Sequence, residues 1–243
     1  ETIGPEVGEL CKGVVVLKII SNLAVHRLAR VTGVFTAKEL STSGDEEEGK
    51  KIINGILDAY AFAKADPFRA ATNNKGVMNA ISPIAVATGQ DWRAVEAGCH
   101  SYAAYKNGSV SPFVQWSRNS DGDLVGYIEM PAPVGLIGGA ARVHPCARAC
   151  VKLLGVKTAT ELGTVLAAAG IAQNLGALRA LATVGIQQGH MKLHAKNLAV
   201  QAGALSKEVD AVVKRATASG RVTAASIKAA LDAERSGLPV PPQ

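Results

Sequence analysis

The chain has 243 residues, enough for one large domain or a domain with a smaller appendage, and 48% hydrophobic with 19% charged residues marks a folded chain, not a disordered one. Twenty-six Lys and Arg against twenty Asp and Glu leave +6, of which +4 lies from Gly185 onward, where eight basic residues meet four acidic ones. Aromatic residues make up only 4% and no basic run is interleaved with stacking rings, so the charge favours an anionic small molecule or a solvated basic face over nucleic acid, and no nucleic-acid partner is expected.

The first residues, Glu-Thr-Ile-Gly-Pro-Glu, have no initiator Met, basic region or apolar signal core, and read as cut and not as a secretory leader. Gly13 to Ile20 is β-branched and bounded by Gly and by Ser21-Asn22, which predicts a strand, with a short Leu-rich helix or turn following to Arg30. The acidic stretch Ser41 to Glu48 predicts a loop feeding a helix N-terminus, where negative charge is favourable. The helix expected there runs from about Glu47 to Lys64, with Ile52, Ile53, Ile56, Leu57, Tyr60 and Ala61 on its apolar face and Asp66-Pro67 closing it. Gly89-Gln90-Asp91-Trp92 predicts a turn into a second helix, capped by Asp91 or a neighbour and ending near Asn107-Gly108, with Val95 and Tyr102 buried.

Alternation from Phe113 to Met130, broken at Asn119 to Gly122, predicts a hairpin. After the glycine cluster 135 to 139 come small-residue segments at 146 to 155, 159 to 169 and 171 to 188, then 190 to 201, 206 to 217 and 223 to 235, all expected as helices; Gly237 to Gln243 is expected to fray. Strands and helices without βαβ alternation predict an α+β fold. The most apolar stretch, Leu162 to Leu178, carries Gln173 and Asn174 and ends at Arg179, so a buried helix is expected there and not a membrane span. Cys11, Cys99, Cys146 and Cys150 are scattered through a chain too large to need staples and are expected as free thiols in a reducing, cytoplasmic setting.

Three polar clusters stand in small or apolar surroundings. Arg69 to Asn79 reads as one loop offering a guanidinium, the Lys75 ammonium and several amides, either a solvated loop or a site. Asp91 is a helix cap or a catalytic carboxylate. His190 and His194 stand one helical turn apart, a spacing that could ligate zinc, but Met191 occupies the place of the glutamate in the metalloprotease arrangement, and no metal is expected. His144, Cys146 and Cys150 supply only three candidate ligands and are read as structural.

The stretches Ile56 to Asn79, containing Asn74-Lys75-Gly76, then Val86 to Gly98, containing Gly89-Gln90-Asp91, and Gly185 to Asn197, containing Gly189-His190-Met191, closely resemble class II hydroxymethylglutaryl-CoA reductase. The three motifs occur in the family's order and nearly its spacing, and the resemblance runs from about Glu1 past Val200. It implies reduction of hydroxymethylglutaryl-CoA to mevalonate and CoA with two hydrides from NADH or NADPH, or the reverse oxidation, in a homodimer or higher homo-oligomer. It also implies Lys75 as the cation facing the oxygen that becomes anionic, Asp91 as the carboxylate bonded to that lysine, and His190 as the acid that protonates the departing CoA thiolate. Arg69 matches the position that grips the substrate carboxylate, Asn79 and, less closely, Gln173 match acyl-group positions, and Asn22 matches a residue near the nicotinamide.

By the same resemblance, residues 1–27 are the end of a small nicotinamide-binding domain, 28–183 most of a helix-rich CoA-ester domain with a small sheet, and 184–243 a helical flap. Two features depart from the family. Asn73 stands where members often carry His, and the glycine- and alanine-rich dinucleotide motif and the catalytic glutamate would fall before Glu1. A noncatalytic CoA-ester-binding chain, or a half-enzyme that needs a complementary N-terminal chain, is therefore the competing expectation.

Overall fold

The computed structural model describes residues 2–183, 186–218 and 222–236, with side chains at all of these except 141 and 186–193. Two compact units are present, Glu1–Leu178 and Arg179–Gln243. The first is built on a three-stranded antiparallel sheet of β1 (Leu28–Phe35), β2 (Val114–Arg118) and β3 (Leu124–Pro131) in the order β1-β3-β2. Val31 and Val114 both pair with Ile128 of the central strand. The β2–β3 hairpin turns where expected: Asn119 Oδ1 accepts the amides of Asp121 and Asp123, and Gly122 takes φ 89°. Together with the helices this is an α+β architecture.

Helix α3 (Glu46–Ala65) starts from Asp45, whose carboxylate accepts the amides of Glu47 and Glu48, and buries Ile52, Ile53 and Ile56. Asp66 closes α3 and opens α4 (Pro67–Ala87) in one residue, accepting the amides of Phe68 at 3.1 Å and Arg69 at 3.3 Å while Pro67 takes the first helical position, where its missing N–H costs nothing. Residues 69 to 79 are therefore helical, not the loop expected. The helical pattern is hidden because Asn73 and Asn74 occupy the inward stripe with Ala70, Val77, Met78 and Ile81. Helix α5 (Trp92–Asn107) begins at Asp91 and ends at Gly108 in the left-handed region, with Val95 and Tyr102 buried as expected.

Gly13 to Ile20 is not a strand. Val14, Val16, Leu17, Ile19 and Ile20 are exposed, and no described strand pairs with them; β-branching favours a pleated, half-buried surface and does not make a strand without a ladder. The first strand is instead β1, which begins at Leu28, within the last residues of the stretch to Arg30 where a helix or turn was expected, and runs on to Phe35.

The two helices expected on either side of Gly170 are one, α8 (Ala159–Ala182). Gly170 does not interrupt it but lets it approach α4, since a Cβ there would lie 3.0 Å from Ile81 Cδ1 and 3.1 Å from Val77 Cγ1. By length and composition α8 could cross a membrane. In this fold it buries Leu162, Leu166, Ile171 and Leu178, as expected of a core helix. Short helices α1 (Ile3–Leu10), α2 (Ala37–Leu40), α6 (Gly139–Val143) and α7 (Pro145–Leu154) complete the unit.

The second unit contains α9 (Ile186–Gln201), α10 (Val209–Ala218) and α11 (Ala224–Arg235), close to the three helices expected. They share a core of Ala195, Ala199, Val209, Val212, Ile227 and Leu231, and Arg235 pairs with Glu208 at 3.0 Å. The segment expected to fray, 237 to 243, lies outside the described residues.

Candidate active site on helix α4

Successive residues of a helix turn by about 100°, so Arg69, Lys75, Gly76 and Asn79 fall on one side of α4, opposite the buried stripe. Lys75 and Asn79 are exposed and Arg69 is half-buried. Neither Arg69 nor Lys75 has an ion-pair partner among the described residues, so a guanidinium, an ammonium and an amide share one outward face with their polar groups unspent. Pro83, four residues beyond Asn79, has no N–H to give the Asn79 carbonyl, which leaves a further acceptor on this helix.

The inward face fixes the roll of α4. Asn74 donates to the Ser111 carbonyl at 2.7 Å and accepts the Phe113 amide at 2.9 Å. Asn73, 5% exposed, accepts from Asn174 Nδ2 at 2.9 Å, and Asn174 Oδ1 accepts the Trp116 indole N–H at 2.8 Å. An indole can only donate, so the carbonyl end of Asn174 must face Trp116 and its amino end Asn73. These buried amides join α4, α8 and β2. Asn73, which replaces a frequent His, is thus a core acceptor. The sequence marks Asn174 only as a polar residue in an apolar stretch and gives Trp116 no role; a Trp in a strand, whose N–H needs a partner when buried, is the available signal.

Asp91 caps α5, accepting the Ala94 amide at 3.1 Å, and lies 4.0 Å from Arg93 Nε. It is not hydrogen-bonded to Lys75 in this structure. Its neighbour Gln90 bonds Gly135 in both directions, at 2.9 and 2.8 Å, and so ties the glycine-rich segment to the start of α5. Asn22 is exposed, and its backbone is set against α5 where Gly98 lacks the Cβ that would meet the Asn22 carbonyl at 2.8 Å. Gln173 is exposed on α8, beside the buried Asn174. His190 lies on α9, but its side chain is outside the described residues, as is that of Met191; His194 is exposed. The first unit therefore brings Arg69, Lys75 and Asn79 onto one helix face, while Asp91, Asn22 and Gln173 sit on neighbouring elements.

No group of three or more metal-ligating side chains occurs among the described residues. The four cysteines are free, as expected; Cys99 is buried, Cys150 half-buried, and Cys11 and Cys146 are exposed. One charged cluster was missed altogether. Glu129 on β3 accepts from Lys106 at 2.6 Å, Tyr102 at 2.7 Å and Arg30 at 2.5 Å. Lys106 and then Tyr102 hold its carboxyl down at about 2, while burial first, and the hydrogen bond to Glu129 second, push the Tyr102 phenol up to about 12. The cluster ties β1, β3 and α5 together.

A family model described as hydroxymethylglutaryl-coenzyme A reductase matches residues 1–195. The chain belongs to that family. The 3-hydroxy-3-methylglutaryl-coenzyme A reductase of Archaeoglobus fulgidus is 50% identical over 236 residues, covering 97% of this chain and 52% of the relative. A probable reductase of the same name from Borreliella burgdorferi is 37% identical over 186 residues, 75% of this chain and 42% of the relative. A class II reductase from Streptococcus pneumoniae, solved with NADPH in open conformations, superposes with a TM-score of 0.70 at 38% identity, covering 96% of this chain and 56% of that one. A second structure of the enzyme from that organism gives 0.71 at 38% identity, with 96% and 55% covered. The chain spans about half the length of the curated reductases it matches.

Proposed function

We propose that the chain serves the reduction of hydroxymethylglutaryl-CoA to mevalonate and CoA, or the reverse oxidation. The observation that carries this reading is the outward face of α4, where Arg69, Lys75 and Asn79 present unspent polar groups while buried amides lock the opposite face. Two hydrides and two protons convert the thioester to an alcohol and a thiol. A nicotinamide, NADH or NADPH, supplies the hydrides when bound. Asn22 suits its carboxamide, being a polar side chain on backbone held against Gly98.

Arg69 would pair with the acyl group's terminal carboxylate, and Asn79 and Gln173 would hydrogen-bond the rest of it. The Lys75 ammonium would face the thioester oxygen as it gains negative charge, a preorganised cation at the point where charge develops. Asp91 would bond Lys75 once α4 and the start of α5 close on substrate, which supports the lysine's charged form. His190 would protonate the CoA thiolate. An imidazole with an ordinary value near 6.5 can supply that proton to a thiol near 8.5, and without it the thiolate would re-add to the aldehyde.

In this reading residues 1–27 end a nicotinamide-binding domain, 28–183 hold the CoA ester, and 184–243 form a flap that delivers His190. A homodimer or higher homo-oligomer is proposed with it, and the four free thiols suit a reducing, cytoplasmic setting. The test is oxidation of NADH or NADPH on addition of hydroxymethylglutaryl-CoA, with two nicotinamides expected per mevalonate formed. Because the chain spans about half of its relatives, a second reading is kept: a noncatalytic CoA-ester-binding chain or half-enzyme, shown by saturable binding of the thioester without turnover. Neither binding nor turnover would overturn both.

A further inference from the structure

The dipeptide Asn-Gly occurs at Asn54-Gly55 and again at Asn107-Gly108, and the fold treats the two differently. Glycine after asparagine has no Cβ to shield its backbone nitrogen, which can therefore approach the asparagine carboxamide carbon. Closing a ring in this way requires turning the asparagine about its Cα–C bond, and the hydrogen bonds broken by that turn set the barrier. Asn54-Gly55 lies in the middle of α3, where the turn would break the helical ladder on both sides. The Asn54 Oδ1 is also held by the Arg118 guanidinium.

Asn107 is the last residue of α5, and Gly108 follows it in the left-handed region at φ 72°. Both are exposed. Among the described residues the Gly108 amide donates no hydrogen bond, and neither Ser109 nor Val110 makes a backbone-to-backbone one. The chain is next fastened at Ser111, whose carbonyl accepts from Asn74 at 2.7 Å. Turning Asn107 therefore breaks a single side-chain bond, from its Nδ2 to the Ala103 carbonyl at 2.9 Å.

We propose that Asn107 is a site of spontaneous modification, converted by water to aspartate and isoaspartate while Asn54 is spared. The Gly108 backbone nitrogen attacks Asn107 Cγ. The N–Cγ bond forms, the Cγ–Nδ2 bond breaks, and Nδ2 leaves as ammonia with the proton given up by the Gly108 nitrogen. The resulting cyclic imide takes up water at either carbonyl. Opening at Cγ leaves aspartate, and opening at the main-chain carbonyl leaves isoaspartate, with the backbone running through the side chain. Nothing is oxidised or reduced. Either product puts a negative charge into the last turn of α5, where the helix dipole disfavours it, and withdraws the donor from the Ala103 carbonyl. Isoaspartate also lengthens the main chain between α5 and Ser111, the tether of Asn74 beside Lys75. The site stands whether or not the chain turns over hydroxymethylglutaryl-CoA.

Incubating the full chain in mildly alkaline buffer at physiological temperature and mapping its peptides by mass tests the site. Conversion at Asn107 should run at least about tenfold faster than at Asn54, because one residue opens locally and the other only with its helix. In urea, where both dipeptides lie in unfolded chain, the two rates should come together within about threefold. Methylation by an isoaspartyl methyltransferase, with S-adenosylmethionine as methyl donor, should mark the peptide that contains residue 107. That mark should fall at least about tenfold in Asn107→Gln, whose longer side chain closes its ring poorly and whose helical position it keeps. The wild-type ratio of the two rates does not depend on how that variant folds. Equal rates at Asn107 and Asn54 in the folded chain, conversion confined to the unfolded chain, or no conversion in either state would each overturn the proposal. Methylation of the same peptide at an unchanged level in Asn107→Gln would do so as well.

Discussion

Asn174 Nδ2 donates to Asn73 Oδ1 across 2.9 Å inside the core, and the same Asn174 takes the Trp116 indole N–H on its oxygen. The bond joins the helix proposed to hold the substrate to the longest helix of the first unit. Replacing Asn174 by Leu would strip partners from two buried groups at once, the Trp116 donor and the Asn73 acceptor. Each orphaned group costs about 1–3 kcal/mol, so Asn174→Leu should destabilise by roughly 2 kcal/mol or more in urea unfolding. Adding Trp116→Phe removes one orphan and should recover part of the loss, giving a coupling clearly different from zero in a double-mutant cycle. Additive effects would show that the relay contributes nothing as a unit.

Lys75 is exposed and unpaired, so Lys75→Ala should leave the urea midpoint nearly unchanged. On the proposed function turnover should fall by about a hundredfold or more, the scale seen when an electrostatic group aimed at developing charge is removed. A variant within about threefold of wild type would reduce Lys75 to a solvated residue on the helix surface.

Asp91 offers a sharper separation of roles. Its visible work is to cap α5, and Asn caps as well as Asp. Asp91→Asn should therefore unfold within about 0.5 kcal/mol of wild type. If the carboxylate also supports the charge on Lys75, turnover should drop by at least about tenfold and the pH profile should move. Loss of stability with unchanged turnover per folded molecule would leave only the cap.

Glu129 makes a prediction about acid. Its carboxyl is held at about 2 against an ordinary 4.5, so the stability it contributes is fully present above 4.5 and disappears as pH falls through about 2. Glu129→Gln should lower stability near neutral pH, because Lys106, Tyr102 and Arg30 lose a charged acceptor, and should flatten the decline between those two values. Parallel pH–stability curves for wild type and variant would contradict the assignment.

Helices α3 and α5 were legible because apolar residues recur at helical spacing and an aspartate stands at each start. Helix α4 was not, although it carries the proposed site. Its inward stripe is interrupted by Asn73 and Asn74, whose burial is compensated by partners 37 to 101 residues away in the chain, and no local pattern reports such distant acceptors. Gly170 misled in the opposite sense. An isolated glycine in a helical run reads as a break, yet here its missing Cβ is what lets α8 meet Val77 and Ile81. Propensity and the flanking turn residues predict a strand at residues 13 to 20, but neither supplies a partner to pair with. The polar motif residues themselves were legible only through resemblance, since periodicity cannot distinguish Lys75 from any other exposed lysine.

The two histidines of α9 separate an acid from a metal site. If His190 protonates the CoA thiolate, His190→Gln should slow the step that expels CoA while leaving reduction of the free aldehyde, mevaldehyde, much less affected, because that second hydride transfer releases no thiolate. His194 lies one turn further along α9 and is exposed, so His194→Gln should be mild in both assays. A metal shared between the two would behave otherwise. Both substitutions would then be equally severe and a chelator would abolish activity, since each imidazole would be a ligand to the same ion. Equal slowing of thioester and aldehyde reduction by His190→Gln would remove the proton-donor role, because a residue that affects both half-reactions alike acts on something they share, such as closure of the helices that carry it.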